Sequence, residues 1–439
     1  MSGAEITAIL TKYVTYYGSF EEALKHLDEY AEDEYSVFTI GSDGHGISGY
    51  LAYGDYTVNE TYTPSNRIET IDEFYVTIDK NGAVISEWIE NDLPFKAYIK
   101  LVKQDLDSGE NVVYSNTTFK LYKLDEDTNE WEEVGCKLGK TTYYEWTTDE
   151  DGIAWTETKL EAGIYKVDEI VLPEGFLELD EELTFEVVTD NENIYWDEDD
   201  DAYITVYVVN EQPKGELIIN KTINLRDDVD ISLIDVDYTG IEFTLTAAET
   251  IIDYTDGEVI YNEGDVVGIY ALDENGYLCV EDIWMGSYYL AETKTLDGLV
   301  VDETIYDVVF EMEDTTTKVY TVEFDIENDT TCLEISKTDV NDNLIDGATL
   351  TIYDGDGNEV LSFETSSEDS YSIEGLHVYN TYTVSETVTP EGYVTATDEE
   401  VYIENTAEIQ SLQMKDKRYS ISKLNVAGEE VERSYTSSN

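Results

Sequence analysis

Basic residues are scarce in this 439-residue chain: 24 Lys plus Arg stand against 100 Asp plus Glu, a formal net charge of −76. So acidic a surface repels phosphate, which argues against nucleic acid and anionic membranes as partners. Cysteine is almost missing. Cys136, Cys279 and Cys332 lie far apart, and His26, His45 and His377 are isolated. Neither a disulfide framework nor a zinc site is expected, and no cofactor motif is present. There are five prolines, so Pro94 and Pro213 stand out as punctuation. No apolar run is long enough to span a bilayer. Met1-Ser2-Gly3-Ala4-Glu5 has neither the basic nor the apolar region of an export signal.

What the chain does have is a globular share of apolar residues, 41%, and 36 Tyr. That argues against disorder despite the charge. The acidity is expected to keep a long extracellular rod soluble; adaptation to high salt is the other reading. Residues alternate with period two in Phe74–Ile78, Leu183–Val188, Tyr306–Phe310 and Leu350–Tyr353. Asp43-Gly44, Asp151-Gly152, Asn275-Gly276 and Asp354-Gly355-Asp356-Gly357 supply turns between such runs. Many short strands with regular turns predict an all-β chain of tandem β-sandwiches. One short helix is expected over Ser19–Leu27, with Ser19 as N-cap.

One pattern recurs four times: a Tyr, an aliphatic residue two positions on, and a Glu two further. It appears as Tyr56-x-Val58-x-Glu60, Tyr165-x-Val167-x-Glu169, Tyr288-x-Leu290-x-Glu292 and Tyr382-x-Val384-x-Glu386. Residues two apart share one face of a strand, so each Glu lies on the face of an apolar pair, the presumptive core face. Such an acid needs a partner. Upstream of the last three copies are strand-like runs containing Lys103, Lys221 and Lys337. Downstream, runs close on Asn210, Asn328 and Asp416. The first copy has Glu60 and a closing Asn91; its weak candidate for the opening lysine is Lys12. Expected domains are 1–93, 94–213, 214–329 and 330–418. Residues 419–439 read as the opening strand of a further, truncated repeat, so the chain is expected to be an internal piece of a longer surface protein.

The order of these motifs resembles the SpaA/Cna-B-like (prealbumin-like fold) domains of Gram-positive pilins and adhesins. Gly347-Ala348-Thr349-Leu350, the Tyr-x-φ-x-Glu-Thr runs, Pro173-Glu174-Gly175-Phe176 and Pro390-Glu391-Gly392-Tyr393 carry the likeness. Ile170 departs from it, standing where Thr61 and Thr293 follow the Glu elsewhere. The resemblance implies a spontaneous isopeptide bond between opening Lys and closing Asn, assisted by Glu. Carried over, it predicts Lys103–Asn210 with Glu169, and Lys221–Asn328 with Glu292. Asp416 stands where Asn is common, which gives Lys337–Asp416 with Glu386. The implied role is a monomeric stalk segment at the cell surface or cell wall. Host matrix protein or glycan would be engaged by other parts of a longer protein.

Physical alternatives stand beside that reading. Each Lys and Glu could form an ordinary ion pair. Glu60 reads as an unreacted acid. Asp197–Asp201 could ligate calcium, but lacks the EF-hand order and reads as a solvated loop. A turnover enzyme such as a glycosidase fits poorly, because acids are too abundant for any pair to be informative. An aromatic surface on one domain and missing from the others would favour a ligand-binding module.

Overall fold

The computed structural model describes residues 2–68, 71–82 and 92–419, together with the backbone of Lys423–Leu424 and Glu430–Val431. The architecture is all-β, built from tandem two-sheet sandwiches. Contacts divide the chain into two compact units. One holds Met1–Pro213 with Asp253–Glu258 and Asp314–Lys318; the other holds Lys214–Ile252, Val259–Glu313 and Val319–Asn439.

In the first unit, residues 95–208 enclose one core. One of its sheets runs Ile153–Trp155, Lys96–Asp105, Ala202–Asn210, Ile194–Trp196. The other contains Trp146–Thr147, Thr118–Asp125, Gly163–Val171 and Leu183–Val187. Ile99, Leu101, Phe119, Leu121, Tyr165 and Val206 fill the space between. Opening and closing strands lie side by side and parallel, Tyr203 opposite Tyr98 through Asn210 opposite Asp105. A parallel neighbour cannot be reached by a tight hairpin. The whole repeat therefore intervenes between these two strands.

The second unit repeats this plan twice. Lys214–Asn224 pairs in parallel with Val319–Asp329, and Cys332–Asp339 with Ile409–Arg418. Each pair is faced by a four-stranded sheet, one containing Glu242–Ala247 and Gly286–Lys294, the other Thr349–Tyr353 and Thr381–Val388. The sequence did not foretell how these two repeats join. Ile231–Ser232, from the earlier repeat, adds a parallel edge strand beside Tyr371–Glu374 of the later one. Ile231 and Leu233 pack on the later core, while Ile234 packs on the earlier. Buried Glu374 accepts from the Arg226 backbone N–H at 2.8 Å and from Thr330 Oγ1 at 2.6 Å.

The N-terminal segment departs from the sequence reading. Its strand Glu5–Leu10 lies between Tyr35–Thr39 and Gly54–Tyr62, with Ile6 opposite Glu60. That is the place held elsewhere by the strand facing the Glu strand, not by the lysine-bearing opening strand. Two helices follow where one was expected: α1 (Thr11–Tyr17) and α2 (Phe20–Leu24). In α1, Tyr13, Val14 and Tyr17 cover a small cluster of Ile9, Phe20, Ala23 and Tyr30. That helical spacing prevails over the strand propensity of Val and Tyr. Gly18, at φ 92°, ends α1. Ser19 caps α2 as expected, accepting the Glu22 N–H at 3.2 Å. Strand Lys423–Leu424 pairs with Glu430–Val431; the rest of the expected truncated repeat lies outside the described residues.

Truncating Ile231 and Leu233 to Ala is expected to destabilise the following sandwich by about 1–3 kcal/mol. Hydrogen exchange should quicken in Tyr371–Glu374, more than 100 residues downstream. Unchanged exchange there would contradict a shared edge.

Candidate cross-linking sites

The register of the parallel strands brings the predicted residues together. Lys103 stands opposite Val208, Lys221 opposite Ile326, and Lys337 opposite Met414. Asn210, Asn328 and Asp416 lie two residues beyond those partners, hence on the same inward face. All six side chains belong to buried residues. The Glu arrives from the opposite sheet, against Phe119, Phe243 or Leu350. In every copy the ladder shifts register immediately after the Glu, so Ile170, Thr293 and Thr387 bulge out; Thr61 does likewise after Glu60. Such a bulge re-aims a side chain. The bulged threonines hydrogen-bond across to Thr7, Thr244 and Thr351. Ile170 stands where that bond is absent.

In the sandwich of residues 95–210, Lys103 Nζ sits 4.0 Å from Glu169 Oε1, its side chain 0% exposed. Asn210 Nδ2 donates to Glu169 Oε2 at 2.7 Å and to the Leu177 carbonyl at 2.6 Å. Lys103 Nζ, Glu169 Oε1 and Asn210 Oδ1 make no hydrogen bond. Burial pulls the Lys103 ammonium down to about 8, against the pull of Glu169 and Asp105. Burial likewise raises the Glu169 carboxyl, against Lys103 and the bond from Asn210. The amine is thus biased toward its neutral form and the acid toward its protonated one.

The next triad is tighter. Lys221 Nζ donates to Glu292 Oε2 at 2.6 Å and also to Asn328 Oδ1. Asn328 Nδ2 donates to the other oxygen, Glu292 Oε1, at 2.8 Å, and to Thr295 Oγ1 at 3.1 Å. One carboxylate therefore bridges the amine and the amide nitrogen. Burial lowers the Lys221 ammonium below the usual lysine range. In the last triad Lys337 Nζ lies 2.5 Å from Asp416 Oδ1 and 3.4 Å from Glu386 Oε2. The Ala396 N–H donates to Glu386 Oε2 at 2.6 Å. Burial raises the Asp416 carboxyl, opposed by Lys337 and reinforced by Glu386.

The roles of several contributing residues escaped the sequence reading. The Phe176 ring lies 5.0 Å from Lys103 Nζ, and the Phe243 ring 5.6 Å from Lys221 Nζ. Phe176 ends the Pro173-Glu174-Gly175-Phe176 turn, where its N–H bonds the Pro173 carbonyl at 3.3 Å. The middle repeat makes a comparable turn without that motif: Leu299 N–H bonds Leu296 O at 3.2 Å around Gly298. Pattern matching could not find it, because it depends on backbone shape and a positive-φ glycine.

Other candidates fare differently. Lys12 lies in α1, not on a strand, and pairs with Glu34 at 2.5 Å in a half-exposed position. It is not the lysine partner of Glu60. Glu60 itself is buried, and Asn91 lies outside the described residues. Asp197–Asp201 forms a turn in which Asp197 Oδ1 accepts N–H groups from Asp199 and Asp201 at 3.0 and 2.8 Å. Those bonds hold the Asp197 carboxyl below its usual range. Among the described residues, Glu216, Cys279 and Glu281 bring ligand atoms within 4.8 Å of one another, partly exposed. Cys279 Sγ–H already donates to Glu216.

Two-sheet sandwiches with parallel first and last strands and a buried Lys-Glu-Asn/Asp set between them define the class of protein. Residues 97–201, 229–324 and 331–418 match the SpaA family, a prealbumin-like fold domain, and the chain belongs to that family. No curated protein matches it. Solved structures similar to it include the Bacillus anthracis TIE protein, at 20% identity over 95% of this chain and 69% of that one, TM-score 0.42. The streptococcal ancillary pilin is 18% identical over 73% of this chain and 98% of its own, TM-score 0.28. BcpA, the major pilin subunit of Bacillus cereus, is 15% identical over 74% and 100%, TM-score 0.34.

The lowered Lys103 pKa fixes the sign of a pH effect. The folded state binds this proton less readily than the unfolded chain does, so stability rises with pH between about 8 and the ordinary lysine value of 10.5. In an Asn210→Leu chain, denaturant midpoints should climb across that window. Adding Lys103→Met should flatten the climb; an equal climb in both variants would contradict the assignment.

Proposed function

We propose that this chain is a structural stalk segment of a bacterial surface pilin or adhesin, whose repeats lock themselves with intramolecular amide bonds. The observation that carries the proposal is the Glu292 carboxylate, one oxygen on Lys221 Nζ and the other on Asn328 Nδ2. A group so placed can take a proton from the amine and deliver one to the leaving nitrogen.

The chemistry follows from burial. A neutral lysine Nζ attacks the side-chain carbonyl carbon of Asn. The C–Nδ2 bond breaks, the Glu passes an amine proton to that nitrogen, and ammonia leaves. At Lys337 and Asp416 the same step releases water, and the raised Asp416 carboxyl favours the neutral acid the reaction requires. The fold contributes proximity, which can replace several kcal/mol of activation. Each site acts once, without turnover. The three buried atoms that make no hydrogen bond at Lys103, Glu169 and Asn210 support the same reading, because such atoms are costly. Amide formation removes the ammonium charge.

The benefit is mechanical. Lys221 and Asn328 are 107 residues apart, and Lys337 and Asp416 are 79 apart. By analogy with disulfides, closing loops of this size stabilises by about 4–5 kcal/mol. A bond between parallel first and last strands also prevents a pulled repeat from paying out its length. In single-molecule pulling, the three sandwiches of the parent chain should not extend. Glu169→Ala, Glu292→Ala and Glu386→Ala should each release one repeat's worth of chain. Full extension of the parent would overturn the proposal.

A further inference from the structure

The sheet that carries Lys103 has a second face, turned away from the core. Residues alternate along a strand. With Ile99, Leu101 and Lys103 inward, Tyr98 and Lys100 point outward; Val102, on the same side, is itself buried. On the neighbouring strand Tyr203, Thr205 and Tyr207 do the same. The register sets Tyr203 beside Tyr98 and Tyr195 beside Tyr203, with Trp155 beside Lys100. These rings touch: Tyr98 stacks on Tyr203 at 5.2 Å, Trp155 meets Tyr203 edge-on at 5.9 Å, and Tyr195 lies 6.2 Å away. Trp155 remains 43% exposed, Tyr195 63% and Tyr207 46%.

The equivalent faces of the other two sandwiches carry no such cluster of rings: Tyr277 stands alone beside Asn220 on one, and the rest is largely polar. In one, Asn220 donates to Glu323 and Asp325, and Thr321 to Glu216. In the other, Glu334 stands beside Ser372 and Ser411, and Ser336 beside Gln413. An aromatic platform on one repeat of three is not required by the fold. It carries the exposed area that surfaces normally avoid.

We propose that this platform binds a neutral oligosaccharide. Its chemistry is that of a sugar ring seen from both sides: flat aromatic faces for C–H groups, and hydrogen-bonding groups at the rim for hydroxyls. Lys100 Nζ stands 5.5 Å from the Trp155 ring and Lys159 Nζ 5.7 Å from Tyr98, while Tyr203 Oη donates to Asp197 at 3.1 Å. Charge selects the occupant. A net charge of −76 repels anionic glycans and a second copy of this chain alike. The Lys100 ammonium already lying on the Trp155 ring disfavours a cationic peptide; Lys159, near Tyr98, is paired with Asp201 at 2.5 Å. A neutral polyol meets neither penalty.

The test uses the full chain and a panel of neutral hexasaccharides (cello-, malto-, chito- and galacto-hexaose) at millimolar concentration. Saturable change in tryptophan fluorescence with at least one of them is expected. Trp155→Ala and Tyr195→Ala, both at exposed positions, should weaken that binding at least tenfold while leaving the thermal midpoint unchanged. No saturable binding by any of the four, or binding that both variants retain, would overturn the proposal. Self-association abolished by Trp155→Ala would also overturn it, assigning the face to a second copy instead. Because the platform faces away from Lys103, its failure would leave the cross-linking proposal standing.

Discussion

An amine that no water reaches has few options: it pairs with a carboxylate, it loses its proton, or it becomes something else. In three sandwiches of this chain a lysine is held in that position between the two sheets. The surrounding structure accommodates it. Opening and closing strands pair in parallel so that the side chain two residues past the lysine's neighbour faces the same way. The Glu strand breaks register just after its acid. At Lys103 a turn beyond that strand brings the Phe176 ring and the Leu177 carbonyl over the site. Removing the acid would leave a buried ammonium alone, at a cost of several kcal/mol.

The sites are variations on that constraint. At Lys221 the carboxylate bridges both nitrogens; at Lys103 it holds the amide nitrogen and stands 4.0 Å from the amine. At Lys337 two acids share one lysine, and burial favours the neutral form of Asp416. Each arrangement disfavours full ionisation of the buried groups. The edge at Ile231–Ser232 links a pair of repeats, because one repeat there completes the sheet of the next.

Much of this was legible in the sequence. Period-two alternation and the spacing of Tyr, aliphatic residue and Glu sufficed to place Glu169, Glu292 and Glu386 on the core face, because a strand's two faces leave no third choice. The scarcity of basic residues made Lys103, Lys221 and Lys337 conspicuous. Long-range geometry was less legible. The edge strand Ile231–Ser232 is two residues long and pairs with a segment more than 100 residues away, so local patterning carries no signal for it. Helix α1 was hidden by Tyr and Val, which favour strands until tertiary packing decides otherwise. Lys12 lies within the strand-like run Ala8–Val14 of the sequence, and only the fold reveals that the strand ends at Leu10. The aromatic face around Tyr203 went unseen among 36 tyrosines, for composition cannot say which share a surface.

The most direct test of the central claim is the intact mass of the purified, denatured chain. The account predicts a mass below the sequence value by two ammonias and one water: one ammonia each from Asn210 and Asn328, and the water from Asp416. Replacing Glu169, Glu292 and Glu386 by Ala should restore each loss in turn. A mass equal to that of the sequence would contradict self-cross-linking and leave three buried lysine-carboxylate pairs within plain β-sandwiches.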